Sequence, residues 1–184
     1  METPDLELLA RIVAGDQNAF ALLVRRHQRK VFQLAYRFSR DRQDAEELTQ
    51  EIFFKVWKHA RTFEGRAAFS TWLYRLAVNT CLNHRQKKKS APEPLSLSCD
   101  LAAAAETADA DLIAREREKL LEQAMDALPM RQKMALVLAN FEGKSYEEIA
   151  SVMDVSVSAV ETLLFRARQN LGKIVRPLKN KNAR

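Results

Sequence analysis

Glycine and proline are scarce in this sequence, with four and five residues respectively among 184. Turn-rich all-β proteins and nucleotide-binding enzymes with glycine-rich loops need more of them, so the composition argues against both classes. Alanine, leucine and long charged or amide side chains, which favour helices, dominate instead. The sequence therefore predicts an all-α protein, long enough for one domain or two small ones.

Cysteine is also rare: Cys81 and Cys99 are too few for a disulfide framework and do not form the closely spaced pair typical of a zinc site. The first residues lack the basic and apolar segments of a signal peptide. No stretch approaches the ~18 apolar residues that cross a membrane. We therefore expect a cytoplasmic protein without membrane insertion, metal or other cofactor, with Cys81 buried in a helix and Cys99 exposed.

Acidic residues are missing from two stretches of the chain, although the net charge is only +6. Residues 65–92 contain six Lys or Arg and residues 173–184 contain five, with no Asp or Glu in either. Residues 90–112 show the reverse, with five acids and no base. Two basic zones beside helical patterns favour a polyanionic partner, although a basic stretch can also be ordinary solvated surface.

The spacing of apolar residues predicts a series of amphipathic helices in two groups. The predicted helices span about 5–14, 17–39, 42–60 and 70–88, then 111–127, 130–140, 145–153 and 156–173. Asp16 and Ser70 are the expected N-caps of the second and fourth helices. Because residues 90–110 are acidic and aperiodic and contain proline and serine, they are interpreted as a flexible linker between two small helical domains, 1–89 and 111–184.

The pattern from Ser145 to Glu148 is typical of a capping box at a helix start. Asp154 would form a tight turn, and Ser156 or Ser158 would begin the next helix. This arrangement predicts a helix-turn-helix whose second helix lies in a major groove, with a plain helical hairpin as the alternative. The side chains expected on the exposed face or near phosphates are Ser158, Glu161, Thr162, Phe165, Arg166, Arg168 and Gln169.

The fourth predicted helix has an unusual polar stripe, which combines one aromatic, one cation and three amides. Its members are Trp72, Arg75, Asn79, Asn83 and Gln86. Phe63 and Phe69 lie just before it. Aromatic rings stack on unpaired bases and amides bind base edges, so this composition favours single-stranded or opened DNA. The alternative is that the three aromatic side chains belong to the core.

Residues 63–80 resemble the promoter-melting segment of bacterial extracytoplasmic-function (ECF) sigma factors, which belong to the sigma-70 superfamily. Residues 44–57 resemble the helix with which these proteins bind polymerase. Residues 127–132, 146–150 and 164–168 resemble their region four. The resemblance implies a region-two helical bundle over 1–89 and a region-four helix-turn-helix over 111–184.

The resemblance also implies a function, that of a dissociable initiation subunit of bacterial RNA polymerase that answers a stress signal. Its expected partners are the clamp of the largest polymerase subunit, the flap of the second largest, promoter DNA and an anti-sigma factor. The residues implied for the clamp are Asp44, Glu47, Gln50, Glu51, Phe54 and Trp57. Those implied for the −10 element are Phe63, Gly65, Phe69, Trp72, Arg75, Asn79, Asn83, Arg85, Lys87 and Lys88. The residues of the predicted recognition helix would read the −35 element.

Two other functions fit the sequence less well. A stand-alone helix-turn-helix regulator would need a symmetric dimer, yet no heptad seam is visible and residues 17–88 would have no role. An enzyme would need a catalytic constellation, but His27, His59 and His84 are far apart and no nucleophile motif is present. We therefore expect no enzymatic activity.

Overall fold

The computed structural model describes residues 3–90, 120–121 and 123–181, and for residues 85–90 and 176–181 it describes the backbone alone. Within these ranges all regular secondary structure is helical, as predicted. The helices are α1 (Asp5–Val13), α2 (Gln17–Ser39), α3 (Arg42–His59), a 3₁₀ turn (Ala60–Thr62), α4 (Phe69–Ser90), α5 (Met130–Asn140), α6 (Tyr146–Met153) and α7 (Val157–Lys181). The predicted linker and most of the helix predicted at 111–127 lie outside the described residues.

The start of α2 is fixed by a side-chain cap. The Asp16 carboxylate accepts hydrogen bonds from the backbone N–H groups of Asn18 (2.8 Å) and Ala19 (3.1 Å). These are two of the N–H groups that a helix start leaves without a partner. Asp16 is therefore the N-cap, as predicted, and the predicted bounds of α2 are confirmed.

The start of α4 differs from the prediction. Helical hydrogen bonding already begins with the Trp72 N–H bonded to the Ala68 carbonyl at 3.2 Å, and the helix begins at Phe69. Ser70 consequently lies inside the first turn, so its prediction as the N-cap was wrong. The periodicity placed the helix correctly but left its boundary uncertain by one residue.

The core of the first half is built around α2, which packs against α1, α3 and α4. Fully buried apolar side chains from all four helices meet there: Leu8, Leu23, Leu34, Leu48, Ile52, Val56 and Val78. Each such side chain stabilises the folded state by about 1.5–3 kcal/mol relative to exposure. This packing fixes the exposed faces of α3 and α4, which carry the predicted polymerase and promoter residues.

The second half packs α5, α6 and α7 around a smaller set of apolar residues. Ala150 of α6 and Val160 of α7 belong to this set and are 7% and 0% exposed. The two halves also pack together: α2 and α4 contact α5, and α4 contacts α6, so that the buried apolar cluster runs through both. In the described part of the chain, no helix is both long and apolar enough to cross a membrane.

Candidate functional site

Helices α2 and α3 leave an open apolar groove of about 400 Å³ between them. Its α2 wall is formed by Phe20, Val24 and Gln28, and its α3 wall includes Phe54 and Trp57. Phe54 is 64% exposed and Trp57 is 38% exposed, although the Trp57 ring also meets the Phe20 ring edge-on at 5.1 Å. Exposed aromatic side chains around a groove are typical of a protein-binding surface.

The six residues predicted to bind polymerase divide between two sides of α3. Gln50, Phe54 and Trp57 line the groove, and Glu47 is exposed beside them. Asp44 and Glu51 instead lie toward α4.

The Asp44 carboxylate is 3.7 Å from Nε2 of His84, and the Glu51 carboxylate binds Lys55 at 2.7 Å. Lys55 also donates a hydrogen bond to the Thr80 hydroxyl of α4. These two acids thus contribute to the contact between α3 and α4. Three of the six predicted residues, Gln50, Phe54 and Trp57, therefore line the groove, and Glu51 keeps 41% of its side chain exposed while it pairs with Lys55.

The groove's α2 wall was not among the predicted site residues. Phe20 and Val24 belong to the apolar stripe of α2, a pattern that is also typical of core residues. Both side chains are only partly buried, and both line the open groove. Their neighbours on α3, such as Trp57, lie far away along the chain, so no local pattern distinguishes Phe20 and Val24 from core residues.

The loop before α4 gathers three of the predicted promoter-binding rings. Phe63 lies 5.1 Å from Trp72 and 6.3 Å from Phe69, and Phe69 lies 5.9 Å from Trp72. Phe69 is only 4% exposed, so it forms the floor of this aromatic cluster, while Phe63 and Trp72 are half-buried above it. Core packing, the alternative raised from the sequence, thus describes Phe69, whereas Phe63 and Trp72 pack against the core and remain partly exposed.

Gly65 gives this loop its turn. Its φ of +69° lies in the left-handed region, which side chains other than glycine rarely adopt. A Cβ built at this position would meet nothing within 4 Å. Glycine is therefore favoured here by the backbone conformation and not by a lack of space for a side chain.

The polar stripe of α4 is exposed at Asn79 and Asn83. Arg75 is 44% exposed, but its guanidinium donates two hydrogen bonds, of 3.1 and 2.6 Å, to the backbone carbonyl of Ser151 in α6. In this arrangement a residue predicted to bind the −10 element holds the second half of the chain. The side chains of Gln86, Arg85, Lys87 and Lys88 lie outside the described part.

Glu142, which follows α5, joins the two halves. Its side chain is 9% exposed and accepts hydrogen bonds from Arg37 of α2 (2.8 Å) and from the Tyr74 hydroxyl of α4 (2.6 Å). Burial and the Glu142 carboxylate raise the pKa of Tyr74 well above its usual value of 10. A nearby lysine, Lys133, is fully buried and donates to the Phe38 carbonyl at 3.0 Å. The junction is thus polar at its centre and well hydrogen-bonded.

The predicted capping box is present at the start of α6. The Ser145 hydroxyl accepts the Glu148 N–H, and the Glu148 carboxylate accepts the Ser145 N–H. Lys144 also donates to that carboxylate at 2.7 Å, and this bond is the main cause of the lowered pKa of Glu148. Asp154 ends the helix in the left-handed region at φ +55°, so the three-residue turn is made without glycine.

Helix α7 begins after Ser156, whose hydroxyl accepts the Ala159 N–H at 3.2 Å. Of the two serines considered, Ser156 therefore makes the cap. The face predicted for the −35 element is exposed, with Phe165 at 61%. The exposed residues of this recognition face are Ser158, Glu161, Thr162, Phe165, Arg166, Arg168 and Gln169.

Cys81 is fully buried in α4, as predicted, and burial raises the pKa of its thiol to about 12. Such a thiol is almost entirely protonated near neutral pH and reacts slowly. Cys99 lies outside the described residues.

Family models for sigma-70 region 2 and sigma-70 region 4 match residues 23–91 and 118–171. The RNA polymerase sigma-H factor of Pseudomonas aeruginosa is 36% identical over 183 residues, and the match covers 95% of each chain. The ECF RNA polymerase sigma-E factor of Escherichia coli K12 is 35% identical over 183 residues, again covering 95% of each.

Two solved structures share the fold. CnrH, in complex with the cytosolic domain of CnrY, superposes with a TM-score of 0.67 at 25% identity, covering 94% of this chain and 97% of its own. The sigma factor RpoE of Bartonella quintana, in complex with the anti-sigma factor NepR, gives a TM-score of 0.62 at 19% identity over 85% and 96% of the two chains. With both family regions matched in order and relatives above 30% identity along almost its whole length, the chain belongs to the ECF family of RNA polymerase sigma factors.

Proposed function

We propose that this protein binds bacterial core RNA polymerase through its first half and directs it to promoters with both halves. The observation that carries the proposal is the presence of two separate exposed surfaces on one chain of this family. One is the apolar groove with Phe54 at its edge, and the other is the recognition face with Phe165 at its centre. RNA synthesis then belongs to the polymerase, and we assign no catalytic residue to this chain.

The groove is the proposed site for the clamp of the largest polymerase subunit. Phe54 and Trp57 would enter an apolar surface, with Gln50 and Glu47 at the rim, because aromatic anchors surrounded by polar groups dominate protein interfaces. The second half would contact the flap of the second-largest subunit. In this proposal 1–89 and 111–184 act as separate units joined by the linker 90–110.

The aromatic cluster and the polar stripe of α4 are the proposed site for the −10 element. Opening DNA removes base stacking, and stacking on Phe63 or Trp72 would replace part of it, at about 1–3 kcal/mol for each base. Asn79 and Asn83 have exposed amides that can bind base edges. Arg85, Lys87 and Lys88 would bind the phosphate backbone.

The recognition face of α7 is the proposed site for the −35 element. Arg166 can bind a guanine through two hydrogen bonds, and Glu161 can accept one from a cytosine amine. Arg168 would bind phosphate. This combination favours a duplex element that contains G·C pairs.

We infer an anti-sigma protein as the third partner, which would hold the chain inactive until a stress signal releases it. The sigma factor of Bartonella quintana with a similar fold was solved in complex with such a protein.

Two matched substitutions test the proposal, because Phe54 and Phe165 are almost equally exposed. Phe54→Asp and Phe165→Asp each place a charge on the surface without disturbing the core. The full-length variants are mixed with sigma-free bacterial core polymerase and followed by gel filtration. Run-off transcription from a library of genomic fragments then identifies the promoters used.

We expect the unaltered chain to co-elute with polymerase and to start transcription at defined sites. Phe54→Asp should abolish co-elution, whereas Phe165→Asp should retain co-elution and lose promoter-specific starts. If the unaltered chain does not bind polymerase but binds DNA tightly alone, the proposal is wrong and a stand-alone regulator is favoured.

A further inference from the structure

His27 lies beneath the aromatic cluster and was not assigned any role by the motifs. Its imidazole meets the Phe69 ring edge-on, with the ring centroids 5.3 Å apart at 64°. Its side chain is only 13% exposed. His27 therefore packs against Phe69, the floor of the cluster, from the α2 side.

The other end of the imidazole is held by the N-terminal helix. His27 Nε2 is 2.9 Å from one carboxylate oxygen of Asp5, and the other oxygen of Asp5 accepts a hydrogen bond from Arg26. Arg26 also donates to the Thr3 carbonyl at 2.8 Å. Asp5 is thus itself fixed between two neighbouring residues of α2, so it can fix the orientation of the imidazole.

Packing alone does not hold the imidazole in place. A small cavity of about 50 Å³ lies beside it, between α2 and α4, and is also lined by Lys30, Leu73 and Tyr74. Space on this side would let the ring turn away from Phe69 if its hydrogen bond were lost. The bond to Asp5 therefore selects one ring position among those that the cavity permits.

We propose that His27 is a positioning residue for promoter opening. Asp5 fixes the imidazole, the imidazole supports Phe69, and Phe69 carries Phe63 and Trp72 in the arrangement that receives an unpaired base. This inference rests on the proposed function of the loop. It adds a contribution of α1, through Asp5, to recognition of the −10 element.

The first test compares His27→Ala with His27→Phe in the full chain bound to core polymerase. Phenylalanine keeps a ring against Phe69, whereas alanine leaves a gap that joins the cavity. Ile52→Val removes a buried methyl group elsewhere in the core and controls for a general loss of stability. The readout is permanganate reactivity of unpaired thymines on a promoter from the run-off screen, beside the affinity for core polymerase.

We expect His27→Ala to lower the open fraction of the promoter roughly tenfold, the size of one base-stacking contact, with unchanged polymerase affinity. His27→Phe should restore most of the opening, and Ile52→Val should open the promoter normally. Opening by His27→Ala at the unaltered level would overturn the proposal, and so would an equal loss in His27→Phe.

The second test asks whether Asp5 acts through His27. Asp5→Ala should reduce opening in the otherwise unaltered chain, because the imidazole is then free to turn. The same substitution made together with His27→Phe should cause little further loss, because a phenyl ring does not use the carboxylate. Equal losses in both backgrounds would show that Asp5 acts through Arg26 or the stability of α1, and the proposed path through His27 would be wrong.

The two levels of failure are distinguishable. If the unaltered chain neither binds polymerase nor opens any promoter, the proposed function itself fails. If it does both and His27→Ala does so equally well, only the role of His27 fails.

Discussion

Tyr74 couples its own protonation to the stability of the folded chain. Burial and the hydrogen bond to Glu142 raise the pKa of its phenol above the usual value of 10. The folded chain thus holds this proton more tightly than the unfolded chain. The resulting stabilisation is fully present below about pH 10 and decreases as the pH rises above that value, where the unfolded chain loses the proton first.

We predict that the free energy of unfolding of Tyr74→Phe decreases less between about pH 8 and about pH 10.5 than that of the unaltered chain. The free energy of unfolding should fall by about 1 kcal/mol at neutral pH, since one hydrogen bond to a carboxylate is lost while Arg37 still binds Glu142. Urea unfolding at about pH 8 and about pH 10.5 measures both effects. Tyr36→Phe, at an exposed position of α2, is the control. A pH dependence equal to that of the unaltered chain would contradict this assignment.

The thiol of Cys81 is predicted to be inert in the folded protein. With a pKa of about 12 and full burial, it offers almost no thiolate to a reagent. In a Cys99→Ser variant, a chromogenic disulfide reagent should react with Cys81 only after urea unfolds the chain. Rapid reaction in native buffer would show that α4 opens locally and would contradict this prediction.

Among the elements, α6 depends most on its cap, because it has only eight residues. Isolated helices this short are marginal in water, so the reciprocal bonds between Ser145 and Glu148 matter more here than they would in α2. The left-handed turn at Asp154 then sets the angle at which α7 leaves. The position of the recognition face follows from these two features.

We predict that Ser145→Ala lowers the free energy of unfolding by about 1 kcal/mol. Ser151→Ala, inside the same helix, should change it little, because alanine is a good helix former and the contact of Ser151 with Arg75 uses the backbone carbonyl. Thermal or urea unfolding measures both variants. A loss in the control equal to that in Ser145→Ala would show that the hydroxyl is not acting as a cap.

At the scale of the whole molecule, the two halves meet through apolar packing around a polar centre. Glu142 is the member of that centre with two partners from the first half, Arg37 and Tyr74. If the Glu142 carboxylate is removed, Arg37 and Tyr74 each lose the acceptor of a hydrogen bond. A buried group left without its partner costs about 1–3 kcal/mol.

Glu142→Ala is therefore predicted to loosen the junction. The free energy of unfolding should fall by about 1–3 kcal/mol, and the radius of gyration from small-angle scattering should increase. Glu46→Ala is the matched control, because Glu46 pairs with Arg42 on an exposed part of α3 and such pairs contribute little. Unchanged scattering with unchanged stability would show that Glu142 does not hold the halves together.

The parts of this structure that depend on neighbouring residues could be predicted from the sequence. The bounds of α2 and the capping box at Ser145 follow from patterns within a few positions, and both are confirmed. Ser70 was misassigned because periodicity does not fix the first residue of a helix. The α2 wall of the groove could not be predicted, nor could the contact of Arg75 with Ser151, which lies 76 residues further along the chain. Such contacts depend on how the helices pack.

Arg75 cannot hold the Ser151 carbonyl and a promoter group at the same time. The promoter contact that the family resemblance implies for Arg75 thus requires the halves to separate. The apparent affinity of the free chain for DNA is then its intrinsic affinity multiplied by the open fraction. If roughly one molecule in a hundred were open, the free chain would bind DNA roughly a hundredfold more weakly than an open one. A partner that binds the two halves in their separated arrangement removes this loss of DNA affinity without contacting DNA itself. Promoter occupancy would then depend on the number of complexes between this chain and core polymerase. Copies of the chain in excess of polymerase would not occupy promoters.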